Sequence, residues 1–553
     1  MSKPSKAGLL RRYPALAFVV AAGALALLLP TALNVPQSGP TTLAEFAPVP
    51  GSGQGTSDVS ELGQAGSGGL GFGSGTGTGG RLPEQSTVGK PSQKKAQLKR
   101  CVGDPSRQTE DLLSPPCVAF FDGDNGGVTA KGVTREEVTV VVELERVGQG
   151  GATGDDPNLG KILDCAELPK SNDAPQDLFC KAYMKYFNDR YQTYGRTVHL
   201  WSNHAVPIAD VDQRKKPFAL VEQSPSSKGR EFKIMGMGYL GQPRLQYQGS
   251  APYMVTFKAD LEDQTRLGAG YVCLKLKGRR AKYAGDPLLQ SQIRKFAVWY
   301  EQDQEKDRFL GELKAMCGLE IPSDYQIKGY QPNSPAATAA ARLSAENVTT
   351  VFFLYGTSSI YIITGYASAQ KWFPEWIVAG KNNLRDVDTN FYARTAVQSQ
   401  WVNAFGLTFD YRRDAVRDQA WWRAFKDGCS TCPEPSTPPS FGAWAYDQLN
   451  MLFYGIQAAG PRLSAEQMDK GLHAIPPNGS PSPYKPSAYF SPGNYSFLKD
   501  AMGIWWDPSG APPGTSGGGC YKLPHDGGRF RASEWVAGDD DAKRPGPCQG
   551  DTF

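Results

Sequence analysis

The sequence has 553 residues, 40% apolar and 11% aromatic, which is enough for a sizeable core. The net charge is +4, and residues 1–100 hold ten basic and four acidic side chains, so the remainder is near −2 (4 − 6). A near-neutral body disfavours a nucleic-acid binder that neutralises phosphates. The presence of only four histidines disfavours a histidine-dependent enzyme.

The first 32 residues have the pattern of an export segment. A basic flank precedes an apolar run over 15–29, which Pro30 closes. This run is typical of a secretory signal and is short for a membrane span, which needs about 20 residues. A small-residue cleavage site and a cysteine for lipid attachment are both missing after Leu29, so a signal peptide and a membrane anchor stay open. In either case we expect the body to be exported, anchored or secreted.

Residues 33–100 are predicted to be a disordered Gly/Ser-rich linker. Thirteen of the thirty positions over 51–80 are glycine, and few apolar side chains are available to bury. A G-x-G-x-x-G match at 75–80 follows from this composition and lacks the strand and helix that a dinucleotide site needs.

The ten cysteines all follow residue 100, which in an exported protein indicates disulfides. Spacing favours neighbouring pairs: Cys101 with Cys117, Cys165 with Cys180, Cys273 with Cys317, Cys429 with Cys432, and Cys520 with Cys548. Spacing alone does not exclude other pairings. The C-x-x-C pair at 429–432 has no second pair of zinc ligands nearby, and prolines follow it, so a structural loop disulfide is favoured over zinc or thiol exchange.

From residue 133 onward, predicted strands and helices alternate, which indicates layered α/β structure. Strands are expected at 138–142 and 197–201, with an amphipathic helix over 174–190 between them. The pattern starts again near 293, with strands at 296–300, 348–355 and 376–378. A long helix over 444–459 ends at Gly460-Pro461, and Ser464 with Gln467 forms a possible capping box for the next helix.

Nine phrases in chain order carry a resemblance to a known family. They are CVAFFDGDNGG (117–127), GVT (132–134), FN (187–188), GRTV (195–198), RKFAV (294–298), VTTV (348–351), PEWI (374–377), AYD (445–447) and GIQAAGP (455–461). They resemble actinobacterial extracellular solute-binding proteins of the periplasmic-binding-protein type I family, the branched-chain amino-acid receptor group of ABC transporters. The resemblance covers roughly 115–540. This sequence departs from the family pattern in one respect, since the cysteine to which a lipid would be attached is missing.

The resemblance implies two doubly wound, Rossmann-like α/β lobes joined by a hinge, with a ligand held between them. We expect lobe 1 over 101–292, lobe 2 over 293–435, a return to lobe 1 over 436–475 and a Pro/Gly/Trp-rich C-terminal extension over 476–553. Trp505, Trp506 and Trp535 are expected to pack this extension against a lobe, with contact to sugars as the alternative.

Ligands of doubly wound sheets lie beyond the carboxyl ends of the strands. The residues expected to bind the ligand are therefore those that end or follow predicted strands, with Ser250 added from its family-like position: Glu145, Ser250, Tyr300, Tyr355, Thr357 and Ser358. Turn and helix-cap roles are the alternative for the hydroxyl residues.

The predicted function is capture of a small polar ligand, an amino acid among the candidates, and its presentation to an ABC transporter permease. An extracellular sensor or wall-associated recognition module without a transporter is the alternative. An enzyme on the same lobes is disfavoured, because no credible nucleophile–base pair is visible in the sequence. We expect no cofactor, no metal and no nucleic-acid partner.

Overall fold

The computed structural model of the protein describes residues 101–143, 158–168, 175–223, 228–329, 336–354, 360–378, 389–435, 441–536 and 542–551. The export segment and the linker predicted over 1–100 lie outside these residues. In the described part of the chain, no helix combines the length and the hydropathy that crossing a membrane requires.

The first sheet has six strands in the order β2-β3-β1-β4-β5-β6, and all neighbours are parallel except β2 and β3. Val138, Val140, Val141 and Val142 of the central strand are all buried, as expected for β-branched residues between two helical layers. The strands are β1 (Glu137–Glu143), β2 (Ile162–Asp164), β3 (Thr197–Asn203), β4 (Ala219–Glu222), β5 (Met235–Gly238) and β6 (Met254–Thr256).

The second sheet has eight strands in the order β13-β12-β11-β10-β9-β7-β8, with β14 paired to β12. The run from β11 to β8 is parallel, whereas β12 is antiparallel to β11, β13 and β14. Its strands are β7 (Phe296–Tyr300), β8 (Gln326–Lys328), β9 (Thr350–Leu354), β10 (Glu375–Val378), β11 (Ala404–Thr408), β12 (Ala501–Asp507), β13 (Cys520–Lys522) and β14 (Arg529–Phe530).

Helices cover both sheets, which completes two doubly wound lobes. They are α1 (Pro175–Asn188), α2 (Ile208–Lys215), α3 (Gly229–Phe232), α4 (Arg244–Ser250), α5 (Leu261–Tyr271), α6 (Pro287–Gln290), α7 (Asp303–Cys317), α8 (Ala336–Ala345), α9 (Ile360–Ala369), α10 (Thr389–Thr395), α11 (Gln398–Trp401), α12 (Ala420–Gly428), α13 (Phe441–Ala459) and α14 (Ala465–His473). The α/β fold class predicted from the sequence is confirmed.

The chain crosses between the lobes three times, over 257–260, 409–413 and 497–500. Phe257, Leu498 and the apolar residues of α12 to α14 belong to the core of the first sheet. Leu267 of α5 and Phe409, which follows β11, belong to the core of the second sheet. The first and third crossings run side by side, since the Leu498 amide donates to the Phe257 carbonyl at 3.1 Å.

These crossings differ from the lobe boundaries expected from the sequence. The first change of lobe comes at 257–260 and not near 293, because α5 packs against the second sheet. The return comes at 409–413 and not at 436, because α12 packs against α1. Residues 476–553 are also not a separate extension: they cross into the second lobe and add β12, β13 and β14 to its sheet.

The tryptophans of the C-terminal region are packed as predicted. Trp506 is fully buried in the core of the second sheet, and Trp535 is 5% exposed beside Tyr271 and Phe530. The Trp505 indole donates to the Arg544 carbonyl at 2.9 Å. Trp506 and Trp535 are therefore packed in the second lobe, and the half-buried Trp505 packs against the same lobe.

Five disulfides fasten the described chain, and each Cα–Cα distance lies between 5.3 and 5.7 Å. They are the neighbouring pairs that the spacing favours: Cys101–Cys117, Cys165–Cys180, Cys273–Cys317, Cys429–Cys432 and Cys520–Cys548. The bond from Cys273, just after α5, to Cys317 at the end of α7 lies wholly within the second lobe, which agrees with the early first crossing.

Candidate functional site

The carboxyl ends of the parallel strands mark the candidate site. The first crossing leaves the carboxyl end of β6, and the second leaves that of β11. The third enters β12 at Ala501, and Met502 of that strand pairs with Thr408 at the end of β11. All three crossings therefore join the carboxyl edges of the two sheets. The space between these edges, called the cleft below, is where doubly wound sheets hold ligands.

Tyr300 lies at the cleft edge of the second lobe. It ends β7, and its Cα is paired with that of Leu354 at the end of β9. Its side chain is 7% exposed, Lys306 Nζ lies 5.0 Å from its ring centroid, and Asp303 forms an ion pair with Lys328 beside it. Burial raises the pKa of Tyr300, and its hydroxyl stays protonated at neutral pH with the Asp303 carboxylate as its hydrogen-bond partner.

Four of the predicted ligand-binding residues lie outside the described residues. They are Glu145, which follows β1, and Tyr355, Thr357 and Ser358, which follow β9. Leu354, the described residue before the last three, is paired with Tyr300. All four residues stay predictions.

Ser250 is placed differently from the prediction. It ends α4 and precedes β6, and the Tyr253 amide donates to its carbonyl at 2.9 Å. The neighbouring Gly249 carbonyl accepts from Arg230 of α3, the helix before β5. Ser250 is thus at the amino-terminal edge of the first sheet. It is not positioned to contact a ligand held at the carboxyl edge, because α/β helices run back against the strands.

Tyr239 follows β5 at the cleft edge of the first lobe. Its ring stacks on Phe257 at 5.8 Å and on Trp444 of α13 at 5.6 Å between centroids. Residues 236–241 also match G-x-G-x-x-G, but they form a tight loop: a Cβ on Gly241 would come within 1.9 Å of the Ala259 carbonyl oxygen. The next helix begins only at Arg244, so this match lacks the helix N-terminus that a dinucleotide site needs.

A buried group of charges joins the crossings at the base of the cleft. Lys258 Nζ lies 3.1 Å from Asp410 Oδ1, which links the first and second crossings. Tyr411 donates to Asp447 of α13 at 2.8 Å, and Arg413 Nη2 lies 3.7 Å from the same carboxylate. Lys258, Asp410, Tyr411, Arg413 and Asp447 are called the hinge cluster below. The sequence analysis does not predict the hinge cluster, because its only signal in the sequence is single charged residues within apolar stretches.

Arg529 of β14 fastens two crossings. Its fully buried guanidinium donates to Asp500 Oδ1 at 2.8 Å, to the Asp410 carbonyl at 2.7 Å and to the Phe409 carbonyl at 3.1 Å. Asp500 also accepts from the Ser487 amide at 2.9 Å. One side chain from the C-terminal region thus fixes the second crossing against the third.

The hinge cluster makes stability depend on pH through Asp447. Burial raises the pKa of Asp447 to about 7, although Arg413 lowers it; Asp111 and Asp410 raise it further. In an unfolded chain the pKa of an aspartate is near 3.9. Between about pH 4 and 7 the folded chain therefore holds a proton on Asp447 that the unfolded chain has lost, and the free energy of unfolding falls as the pH rises through that range.

We therefore expect Asp447→Asn to gain stability relative to the wild type as the pH rises. Its amide oxygen still accepts from Tyr411, and the side chain does not ionise. The gain between pH 5 and pH 8 should be about 2–3 kcal/mol in the free energy of unfolding, measured by guanidinium denaturation at both values. An equal difference between variant and wild type at both pH values would contradict the raised pKa.

Three buried residues of the first lobe have the composition of a catalytic triad but not its geometry. His204 Nε2 lies 3.1 Å from both Ser202 Oγ and Asp177 Oδ1, and the serine donates to the same carboxylate at 2.9 Å. A triad needs the serine and the carboxylate on different ring nitrogens. None of the three is more than 4% exposed. The group is structural.

In the described residues, no three His, Cys, Asp or Glu side chains are grouped as a metal ion requires.

No protein-family model and no curated protein matches the chain. Solved structures do resemble it. A fatty acid ABC transporter substrate-binding protein from Thermomonospora curvata is 13% identical, with 76% of this chain and 99% of that chain covered and a TM-score of 0.47. A leucine-binding protein from Thermotoga maritima is 10% identical, with 72% and 99% covered and a TM-score of 0.45.

A solute-binding protein of an ABC transporter from Rhodopseudomonas palustris, in complex with 3,4-dihydroxybenzoic acid, is 14% identical, with 74% and 99% covered and a TM-score of 0.44. At such identities the likeness concerns the fold alone. The two mostly parallel sheets and the three crossings of this chain agree with the two-lobed α/β architecture that the sequence resemblance implies.

Proposed function

We propose that this protein is an extracellular solute-binding protein that captures a small polar ligand in the cleft and presents it to an ABC importer. The observation that carries the proposal is the joining of two mostly parallel sheets at their carboxyl edges by three short crossings. Such crossings allow the lobes to rotate towards each other, and a ligand that contacts both lobes favours the closed form.

The chemistry proposed for the cleft is binding without conversion. The Tyr300 phenol, whose proton is directed to Asp303, is proposed to contact the ligand through its oxygen, and the hydroxyls of Tyr355, Thr357 and Ser358 are proposed to add donors on the same side. Glu145 is proposed to face a positive group of the ligand from the first lobe. This set suits a carboxylate-bearing solute, with amino acids as one class. The first 32 residues are proposed to direct export and to serve as signal peptide or anchor.

Thermal denaturation of the full chain with single compounds tests the proposal. The set contains the twenty amino acids and small mono- and dicarboxylates. At 100 times its dissociation constant, a ligand should stabilise the protein by about 2.7 kcal/mol. The bound compound is then recovered and analysed by mass spectrometry. Absence of stabilisation by every compound, or recovery of a chemically altered ligand, would count against the proposal.

Tyr300→Phe locates the ligand in the cleft. Loss of one hydrogen bond should weaken binding about 2- to 10-fold. Tyr325→Phe is the matched control, since that tyrosine is on the same lobe and its hydroxyl donates to the exposed Glu346. Loss of ligand uptake in cells that lack the protein supports the importer role; loss of a ligand response with normal uptake indicates the sensor alternative.

A further inference from the structure

The edge of the first lobe that lies opposite the cleft carries a group of exposed basic side chains. They are Arg214, Lys216, Lys228, Arg230 and Lys233, called the basic edge below. Lys216 follows α2 and precedes β4, and Lys233 follows α3 and precedes β5. Because β4 and β5 are parallel neighbours, the backbones of these two lysines lie side by side at the amino-terminal edge of the sheet.

The other three basic residues belong to the same edge. Arg214 lies in the last turn of α2, and Lys228 directly precedes α3. The Arg230 Nη1 atom donates to the carbonyl of Gly249, at the end of α4 and just before β6, at 3.0 Å. The basic edge thus runs along the starts of the neighbouring strands β4, β5 and β6, a distance of about 10 Å.

Neighbouring acidic residues do not cancel the charge of the basic edge. Glu231 is exposed between Arg230 and Lys233, so the group has a formal charge of +4 (5 − 1). Asp212 forms an ion pair with Lys131 and leaves the balance unchanged. The flanking exposed residues add −1 (2 − 3): Arg135, Arg462, Asp124, Glu136 and Glu466. Since residues 101–553 together are near −2 (4 − 6), positive charge is concentrated at this edge.

The same surface lacks the apolar side chains with which proteins enter a bilayer. In the described part of 206–238, no large apolar side chain is exposed. Binding to a membrane surface combines attraction to anionic lipids with the burial of apolar area. A soluble polyanion needs only basic side chains, because its affinity comes from the counterions that it releases. Basic residues along three strand starts therefore favour a polymer over a bilayer.

We propose that the basic edge binds a linear polyanion that carries one phosphate group in each repeating unit. Such a partner contacts several basic side chains at once, which compensates for the weakness of each exposed ion pair. Since the basic edge lies opposite the cleft, the bound polymer leaves the cleft accessible. The polymer holds the protein in place, and this role does not depend on which ligand the cleft takes.

Fluorescence anisotropy of labelled inorganic polyphosphate, titrated with the full chain, tests binding to several charges at once. Polyphosphate should bind at low salt, and orthophosphate at the same phosphate concentration should compete at least about 10-fold less well. The logarithm of the binding constant should fall linearly with the logarithm of the salt concentration. Two results would overturn the proposal: no binding of polyphosphate at low salt, or equally tight binding, per phosphate, to vesicles of phosphatidylglycerol.

A double variant, Lys216→Gly with Lys233→Gly, locates the bound polymer without straining the fold. Both lysines have a left-handed backbone, with φ of 47° and 54°, which glycine adopts freely. The double variant should unfold at the same temperature as the wild type or higher. It should bind polyphosphate about 5- to 25-fold more weakly, with a salt dependence reduced by about 2 in slope.

Lys371→Gly is the matched control. Lys371 is exposed in the second lobe, after α9, and has the same left-handed backbone with φ of 51°. Its replacement should leave polyphosphate binding unchanged. The sequence also has basic residues within 90–100, so the comparison of variants, and not binding alone, assigns the site. If the double variant binds polyphosphate as tightly as Lys371→Gly does, the basic edge is not the site and the proposal is refuted.

Discussion

Replacing Arg529 by methionine is expected to lower the free energy of unfolding by about 3–5 kcal/mol. The change leaves the Asp500 carboxylate, whose side chain is 1% exposed, without its cationic partner. It also removes the donor to the carbonyls of Phe409 and Asp410 in the second crossing. Breaking one side of a buried pair is costly because the remaining charge has no solvent. Urea denaturation of the variant and the wild type measures the loss.

Two further variants separate the buried charge from the lost contacts. Arg529→Met combined with Asp500→Asn should recover part of the stability, because no unpaired charge stays buried. Arg531→Met is the matched control: Arg531 is two residues away, its side chain is 49% exposed, and we expect a change within about 0.5 kcal/mol. Equal stability of Arg529→Met and Arg531→Met would show that Arg529 does not fasten the crossings.

Replacing Arg294 by methionine is expected to cost a similar amount, about 3–5 kcal/mol, in the second lobe. Arg294 and Glu375 form a two-pronged ion pair with distances of 2.7 and 2.9 Å, and both side chains are fully buried. The glutamate also accepts from the Thr350 hydroxyl at 2.8 Å and the Tyr283 amide at 3.1 Å. These two neutral donors do not replace a guanidinium. Chemical denaturation checks the expected loss.

The matched double variant decides whether the charge or the packing matters. Arg294→Met with Glu375→Met removes both charges and keeps the apolar volume, and it should regain at least half of the lost stability. If the double variant loses as much free energy of unfolding as Arg294→Met and Glu375→Met lose when added together, an unpaired buried carboxylate is not the cause of the loss.

The local pattern of the sequence was sufficient for the strands and helices that bury a continuous or periodic apolar face. The predicted strand at 296–300 is β7, and the predicted helix over 174–190 is α1. Ser464 caps α14 as expected, since its hydroxyl accepts from the Gln467 amide at 3.2 Å. In each case the signal and the structure it determines lie within one strand, one helix or one helix cap.

Features that depend on distant pairing were not predictable in this way. The third crossing and β12 lie in a stretch rich in proline and glycine, and β12 finds its partner β11 about a hundred residues earlier. Arg294 and Glu375 stand in two of the phrases that resemble the family, yet only the order β10-β9-β7 brings them together. The pairing of Lys258 with Asp410 spans 152 positions and left no periodic signal.

Small-angle X-ray scattering of the full chain, alone and saturated with the ligand identified by thermal denaturation, tests the hinged cleft most directly. Closure of the two lobes about the crossings predicts a smaller radius of gyration with ligand bound, and Tyr300→Phe should show the same decrease only at higher ligand concentration. A ligand that binds at saturation and leaves the scattering curve unchanged would contradict a cleft that closes on its solute.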